Sequence, residues 1–249
     1  MKTISIVQRK GGNGKSTASI NLAAAYAEQG LHVLLVDTDD QKNTTSAIPT
    51  KRRLIKTVES LLLGDVLEDV AEPTLWENID LVAGDLGLSS TAADLDDMPD
   101  GHLQLRNALQ GDYDLCLIDT SPSLDILTIN AMCAADGIFI PLSSNYFSLE
   151  GLAQTMDAYR KVRNGLWNKL KLYGAAFVIH DGRTRLANEV CTKVKEQYPE
   201  VLCETVITRN IKIEEAQILQ QSIFMYAPDD RGAAQYRALA AELAVRMGL

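Results

Sequence analysis

Polar and apolar residues alternate along this chain in blocks that switch repeatedly between strand and helix periodicity. Lys2-Thr3-Ile4-Ser5-Ile6-Val7 alternates polar with β-branched residues and predicts a strand. Residues 16–29 place Ile20, Leu22, Ala23, Ala24, Tyr26 and Ala27 at helical spacing, and Gly30 follows as a stop. Residues 31–36 form a near-continuous apolar run, the pattern of a parallel strand buried on both faces. The same reading predicts a helix over 54–63 ended by Gly64, a short strand over 78–82 and a helix over 103–109. Strands follow at 113–118 and 137–142, with a helix over 123–135 between them. A helix over 149–162, a strand over 172–179, a helix over 186–198 stopped by Pro199, and a strand over 201–207 come next, and helices close the chain. This order predicts an α/β fold, residues 1–249 forming a single domain. Its core is one doubly wound, mostly parallel sheet flanked by helices through right-handed crossovers. Residues 65–100 are acidic, carry two prolines and read as a variable insertion or a mobile surface region.

Composition narrows the class only slightly. A chain of 249 residues is long enough to bury roughly three quarters of its unfolded surface. With 46% hydrophobic and 23% charged residues it reads as a soluble globular protein. No apolar run reaches the roughly 18 residues that a membrane span requires. The chain enters a strand at once, without a secretory leader pattern, so a cytoplasmic location is expected. Cys116, Cys133, Cys191 and Cys203 form no C-x-x-C pair and no metal-ligand spacing, and are expected to be reduced and structural. A net charge of −9 argues against a uniformly basic surface but leaves room for a local basic patch.

The chemistry begins between the first strand and the first helix. Lys10-Gly11-Gly12-Asn13-Gly14-Lys15-Ser16-Thr17 fits G-x-x-x-x-G-K-[ST] loosely, with an extra lysine ahead of the loop. Glycines let successive backbone N–H groups converge on one anion, and the following helix adds its positive end. Lys15 can reach β- and γ-phosphates, and the Ser16 hydroxyl can ligate Mg²⁺. A glycine-rich turn in this position can also be only a turn; the register of Lys15, Ser16 and Thr17 favours the phosphate reading. Two acidic motifs fall at predicted strand ends, where ligands of such sheets bind. Asp37-Thr38-Asp39-Asp40 follows the second strand, and Asp119 closes Leu115-Cys116-Leu117-Ile118, a Walker B pattern whose carboxylate holds Mg²⁺, often through water.

The whole pattern resembles the deviant Walker ATPases of the ParA/MinD group, and most closely the ParA-type partition ATPases. Residues 8–17 resemble the deviant loop with Lys10 as its distinguishing lysine; Val36-Asp37-Thr38-Asp39 with Gln41 and Asp119-Thr120-Ser121-Pro122 resemble the second and third motifs. Tyr146-Phe147-Ser148-Leu149-Glu150-Gly151-Leu152, Arg183-Thr184-Arg185-Leu186, Arg209-Asn210-Ile211-Lys212 and Arg231-Gly232-Ala233 are similar to segments of ParA proteins. The resemblance implies ATP and Mg²⁺ as cofactors and a homodimer with ATP at its interface. Lys10 would act across that interface on the partner's phosphates, Asp39 would orient the attacking water, and Asp37 would support the Mg²⁺ shell. Residues 11–17 would cradle phosphate, while Thr208 and Asn210 would line the adenine pocket. It also implies nonspecific double-stranded DNA as a partner, through Arg183 and Lys212 with Arg185, Lys193 and Lys195 nearby. A ParB-like or other adaptor protein would stimulate hydrolysis, and the protein would be associated with the nucleoid.

Several residues depart from the family pattern: Asp40, Lys42, Ser121, Asp125, Thr208 and Gln217 stand where proline, glycine or small residues are usual. None removes a group assigned to catalysis, but they leave the cargo open: a plasmid, a chromosome origin or a protein assembly. No helix-turn-helix segment precedes residue 1, so site-specific operator binding is not expected. A MinD-like membrane-recruited ATPase is the alternative. It would need an amphipathic C-terminal helix, and the stripe Tyr236, Leu239, Leu243, Met247 reads instead as packing on the domain. A redox ATPase is excluded because no cysteine follows Asp119 closely.

Overall fold

The computed structural model describes residues 1–249. Seven strands form one sheet in the order β3-β4-β2-β5-β1-β6-β7. They are β1 (Lys2–Ile6), β2 (Val33–Thr38), β3 (Glu72–Pro73), β4 (Ile79–Val82), β5 (Leu115–Thr120), β6 (Gly137–Ser143) and β7 (Lys171–Ile179). Every neighbouring pair is parallel except β3 with β4. The central strands β2, β5 and β6 are buried along their whole length, which is why their sequences read as apolar runs rather than alternations.

Helices cover both faces. On one, α1 (Lys15–Glu28) packs with α12 (Arg231–Met247) over β1, β2 and β7 in a core that includes Ile20, Tyr26, Phe139, Tyr236 and Leu243. The C-terminal stripe Tyr236, Leu239, Leu243 and Met247 is buried in that core, as the sequence indicated. The opposite face is covered in two parts. A core of Leu34, Val36, Leu62, Leu88, Leu95 and Ile118 lies under α5 (Leu88–Asp97) and α7 (Ile126–Ala134). A second, around Ile138, Phe177 and Val194, lies under α8 (Ser148–Gly165) and α9 (Arg185–Gln197). Cys116, Cys133 and Cys203 are buried, and all four cysteines are unbridged. No helix is long and apolar enough to cross a membrane.

Three sequence expectations are corrected. Residues 65–100 are built into the fold: β4 pairs with β2, and Leu88, Thr91 and Leu95 of α5 are buried. Glu68, Asp69, Glu77, Asp94, Asp96, Asp97 and Asp100 are exposed, while Glu72 keeps a carboxylate oxygen buried. Residues 54–57 are not helical, and the helix there shrinks to α3 (Val58–Leu62). Residues 201–207 do not form a continuous strand. The Ala175 N–H donates to Val201 O and the Cys203 N–H to Ala175 O, and further on the Ile207 N–H donates to Phe177 O and the His180 N–H to Ile207 O, but the N–H groups of Glu204 and Thr205 turn to the Glu242 carboxylate and break the ladder.

Candidate functional site

The turn between β1 and α1 lies at the carboxyl edge of the sheet, beside the ends of β5 and β6. Gly12 and Gly14 take φ of 73° and 76°, and a Cβ on Gly14 would stand 2.9 Å from Val178 Cγ2, so the turn needs glycine there. None of the backbone N–H groups from Gly11 to Thr17 meets a backbone acceptor in the protein. Gly11, Gly12, Gly14, Lys15, Ser16 and Thr17 line an open cleft of about 500 Å³. A row of unpaired donors at a helix N-terminus is a ready site for an anion. Asn13 faces inward instead, buried, with its Oδ1 accepting from Ser143 Oγ.

The parallel register sets Asp37 beside Asp119, at the ends of β2 and β5. Both are buried. Hydroxyls hold Asp119: Thr44 donates to Oδ2 at 2.7 Å and Ser19 donates to Oδ1 at 3.2 Å. Asp37 Oδ2 accepts from the Thr45 N–H and hydroxyl at 2.8 and 2.7 Å, and its Oδ1 accepts from the Asp39 N–H. Burial, and then the charge of Asp119, push the Asp37 carboxyl up to about 7. Burial raises Asp119 as well. Asp39 lines the cleft and is raised by burial, with its Oδ1 tied to the Gln41 N–H. Burial pulls Lys15 below its usual range, opposed by the charges of Asp119 and Asp39. The cleft wall therefore carries the buried Lys15 and Asp39 beside donors that have no acceptor, with the Asp37 and Asp119 carboxylates buried behind it. Polar surroundings of this kind fit a phosphate chain with a divalent cation: Ser16, Asp37 and Asp119 offer the oxygens, and Lys15 with residues 11–17 the donors.

Lys10 stands apart from the cleft. Its Nζ lies 2.7 Å from Glu150 Oε2 and 4.4 Å from the centre of the Phe147 ring, both on or next to α8. Gln8, fully buried, binds Pro141 O and Thr155 Oγ1 and anchors the same region. Thr208 and Asn210 do not line the cleft. The Thr208 N–H and hydroxyl donate to Gln235, while Asn210 caps α10 (Ile211–Ile218) by accepting from the Lys212 N–H and donating to Asp230.

The basic residues singled out for a nucleic-acid surface are all exposed; Arg183, Arg185 and Lys212 are paired with carboxylates, while Lys193 and Lys195 are not. Arg183 makes a two-pronged contact with Asp181 at 2.8 and 2.7 Å and holds that carboxyl well down, at about 2. Arg185 bonds Glu189 at 2.7 Å, and Lys212 pairs with Asp230 at 3.1 Å. Arg183, Arg185 and Lys193 share one open groove with Glu189 and Glu196, so that face is mixed in sign.

Sequence reasoning missed Thr44, Thr45 and Ser19 as partners of the carboxylates, and Asn43, Ser46 and Ile218 as cleft walls. Two threonines within one helical turn of an Asp-rich strand end were the available signal. The cleft wall formed by Ile218, on α10, had none.

Fold and loop together place this chain in the class of P-loop nucleotide-binding proteins. A family model described as an AAA domain matches residues 1–172. The chromosome-partitioning ATPase Soj of Thermus thermophilus is 38% identical over 248 residues, covering 99% of this chain and 97% of Soj. The sporulation initiation inhibitor protein Soj of Bacillus subtilis is 36% identical, covering 98% of each. Among solved structures, cobyrinic acid a,c-diamide synthase of Mycobacterium smegmatis with bound ADP and magnesium superposes with a TM-score of 0.82. It is 28% identical, over 97% of this chain and 93% of the synthase. The chain belongs to the AAA-domain family and, within it, to the Soj/ParA partitioning ATPases.

Proposed function

We propose that this protein is an ATP-dependent, dimerising ATPase that binds DNA without sequence preference and positions a cargo, released when a partner protein stimulates hydrolysis. ATP and Mg²⁺ occupy the cleft. The backbone donors of residues 11–17 and Lys15 bind the phosphates, and Ser16, Asp37 and Asp119 hold the Mg²⁺ shell. The metal supplies charge neutralisation on the phosphates. Asp39, at the cleft wall, orients the attacking water. Thr208 and Asn210, just ahead of the helix whose Gln217 and Ile218 line the cleft, would meet the adenine base.

The observation that carries this reading is the position of Lys10. It lies next to the loop yet serves none of the loop's own cleft, and is engaged instead by Glu150 on the neighbouring surface. A lysine so placed serves a second subunit's phosphates in the manner of an arginine finger supplied in trans. The test is light scattering of the protein and of Lys10→Ala with ATP and with ADP. An ATP-specific dimer that disappears in the variant supports the reading; a dimer indifferent to Lys10 overturns it.

The MinD-like alternative loses support because the residues its C-terminal membrane helix would insert are buried against α1 and β7. A biosynthetic synthase reading rests on likeness to the cobyrinic acid a,c-diamide synthase at 28% identity, against Soj relatives at 36–38%.

A further inference from the structure

From Thr50 to Val58 the chain runs outside edge strand β3, at the opposite side of the sheet from α9. Thr50 bridges to Thr74, the Lys51 N–H donates to Pro73 O at 2.8 Å, and Thr50 Oγ1 holds Arg52 O at 2.7 Å. At the far end, the Val58 N–H donates to Ala83 O. The loop between is pinned at both ends and presents Lys51, Arg52 and Arg53, all exposed. None of these three takes part in an ion pair, whereas Arg183, Arg185 and Lys212 each have a carboxylate. Between Asp40 and Glu59 the sequence holds five cations and no carboxylate, in a chain whose net charge is −9.

We propose that Lys51, Arg52 and Arg53 form a contact site for the phosphates of double-stranded DNA, separate from the α9 surface. The inference rests on the DNA-binding reading above. Three adjacent residues span up to about 7 Å, a length over which a duplex carries about four phosphates. Unpaired cations bind such an array without first breaking an internal ion pair, which Arg183, Arg185 and Lys212 must do. The stretch at residues 158–180 is also free of carboxylates. However, its Arg160 is paired with Asp157, its Lys169 lies over Trp167 as Arg106 does, and its cations sit at the amino edge of the sheet, away from the cleft. The site follows α2 (Asn43–Ala47) by three residues, and Thr44 and Thr45 of α2 bond the cleft carboxylates, so it lies on the segment that nucleotide would move. Ile55, 84% exposed on the same loop, is the feature a lipid surface would use instead, and it sets the competing arm of the test.

The experiment measures binding of the full chain, with ATP and Mg²⁺, to a random-sequence DNA duplex across a salt series. The wild type is compared with Lys51→Gln/Arg52→Gln/Arg53→Gln and with Arg183→Gln/Arg185→Gln/Lys212→Gln; circular dichroism and ATP binding confirm that each variant is folded. The loop variant is expected to lose about tenfold or more in affinity and to flatten the salt slope by about 3 per protomer. The α9–α10 variant is expected to change both less. If the wild type binds DNA and the loop variant matches it in affinity and slope, this site is wrong while the DNA-binding function stands. If the wild type binds no DNA in any nucleotide state, that function fails and the site falls with it. Loop-dependent binding to phosphatidylserine vesicles, with DNA binding unchanged, overturns the proposal in favour of a membrane.

Discussion

The nucleotide cleft and the α9 surface treat charge in opposite ways. In the cleft, Lys15, Asp37 and Asp119 are buried close together, and Asp37 is pushed far from its usual range; the loop's backbone donors have no acceptor. On the surface of α9 and α10, Arg183, Arg185 and Lys212 each sit in water beside a carboxylate. Buried charge without full compensation is costly and persists where a ligand offsets it. Exposed pairs cost little and contribute roughly 0–1 kcal/mol. The first pattern marks a binding site by itself, and the second does not.

The largest effect that would break this contrast lies at Asp39. Asp39→Ala is expected to leave ATP binding intact and to lower turnover on the order of 10²–10⁴-fold, read as phosphate release. Unchanged turnover would remove Asp39 from the chemistry. Next in size, Lys15→Ala deletes a charge-assisted contact and should weaken ATP binding by about 1.5–3 kcal/mol, roughly 10–150-fold, by calorimetry.

The raised carboxyl of Asp37 makes a pH prediction. Its folded-state pKa of about 7 lies above its ordinary value of 3.8, so between those values the folded protein holds a proton that the unfolded chain has lost. Stability of the nucleotide-free protein should therefore fall as pH rises from about 4 to 7. Affinity for Mg²⁺ with nucleotide, which needs the ionised carboxylate, should rise over the same range. Asp37→Asn is expected to flatten the thermal-melting trend; a wild-type melting temperature that climbs through this window would contradict it. The smallest effect is on the surface. Glu189→Gln frees Arg185 and should raise affinity for duplex DNA severalfold at low salt while changing stability by no more than about 0.5 kcal/mol. No gain would mean that the paired state of Arg185 is irrelevant to DNA.

Legibility followed the range of the interactions. The strands β2, β5 and β6 were readable because a strand buried on both faces must be apolar throughout, β1 because its β-branched residues alternate with polar ones, and helices α1 and α9 because their helical spacing and their stops at Gly30 and Pro199 are local. The break in residues 201–207 was not readable. It depends on Glu242, close to forty residues later, taking two N–H groups out of the ladder. The packed state of residues 65–100 was hidden for a related reason: its acidic outer face dominates the composition, while its few apolar residues find partners only once β2 is in place.

The candidate site divides in the same way. By itself the sequence determined the phosphate loop, the lysine ahead of it and two carboxylates at strand ends, because these depend on local spacing and on the rule that parallel strands end on one edge. Only the tertiary structure decided that Asp37 and Asp119 stand side by side, that α2 hydroxyls hold both, that Lys10 turns to Glu150, and that Arg183, Arg185 and Lys212 are paired while Lys51, Arg52 and Arg53 are not. Such outcomes depend on register and on charges brought together from distant parts of the chain, and no local pattern encodes a distance between residues so far apart.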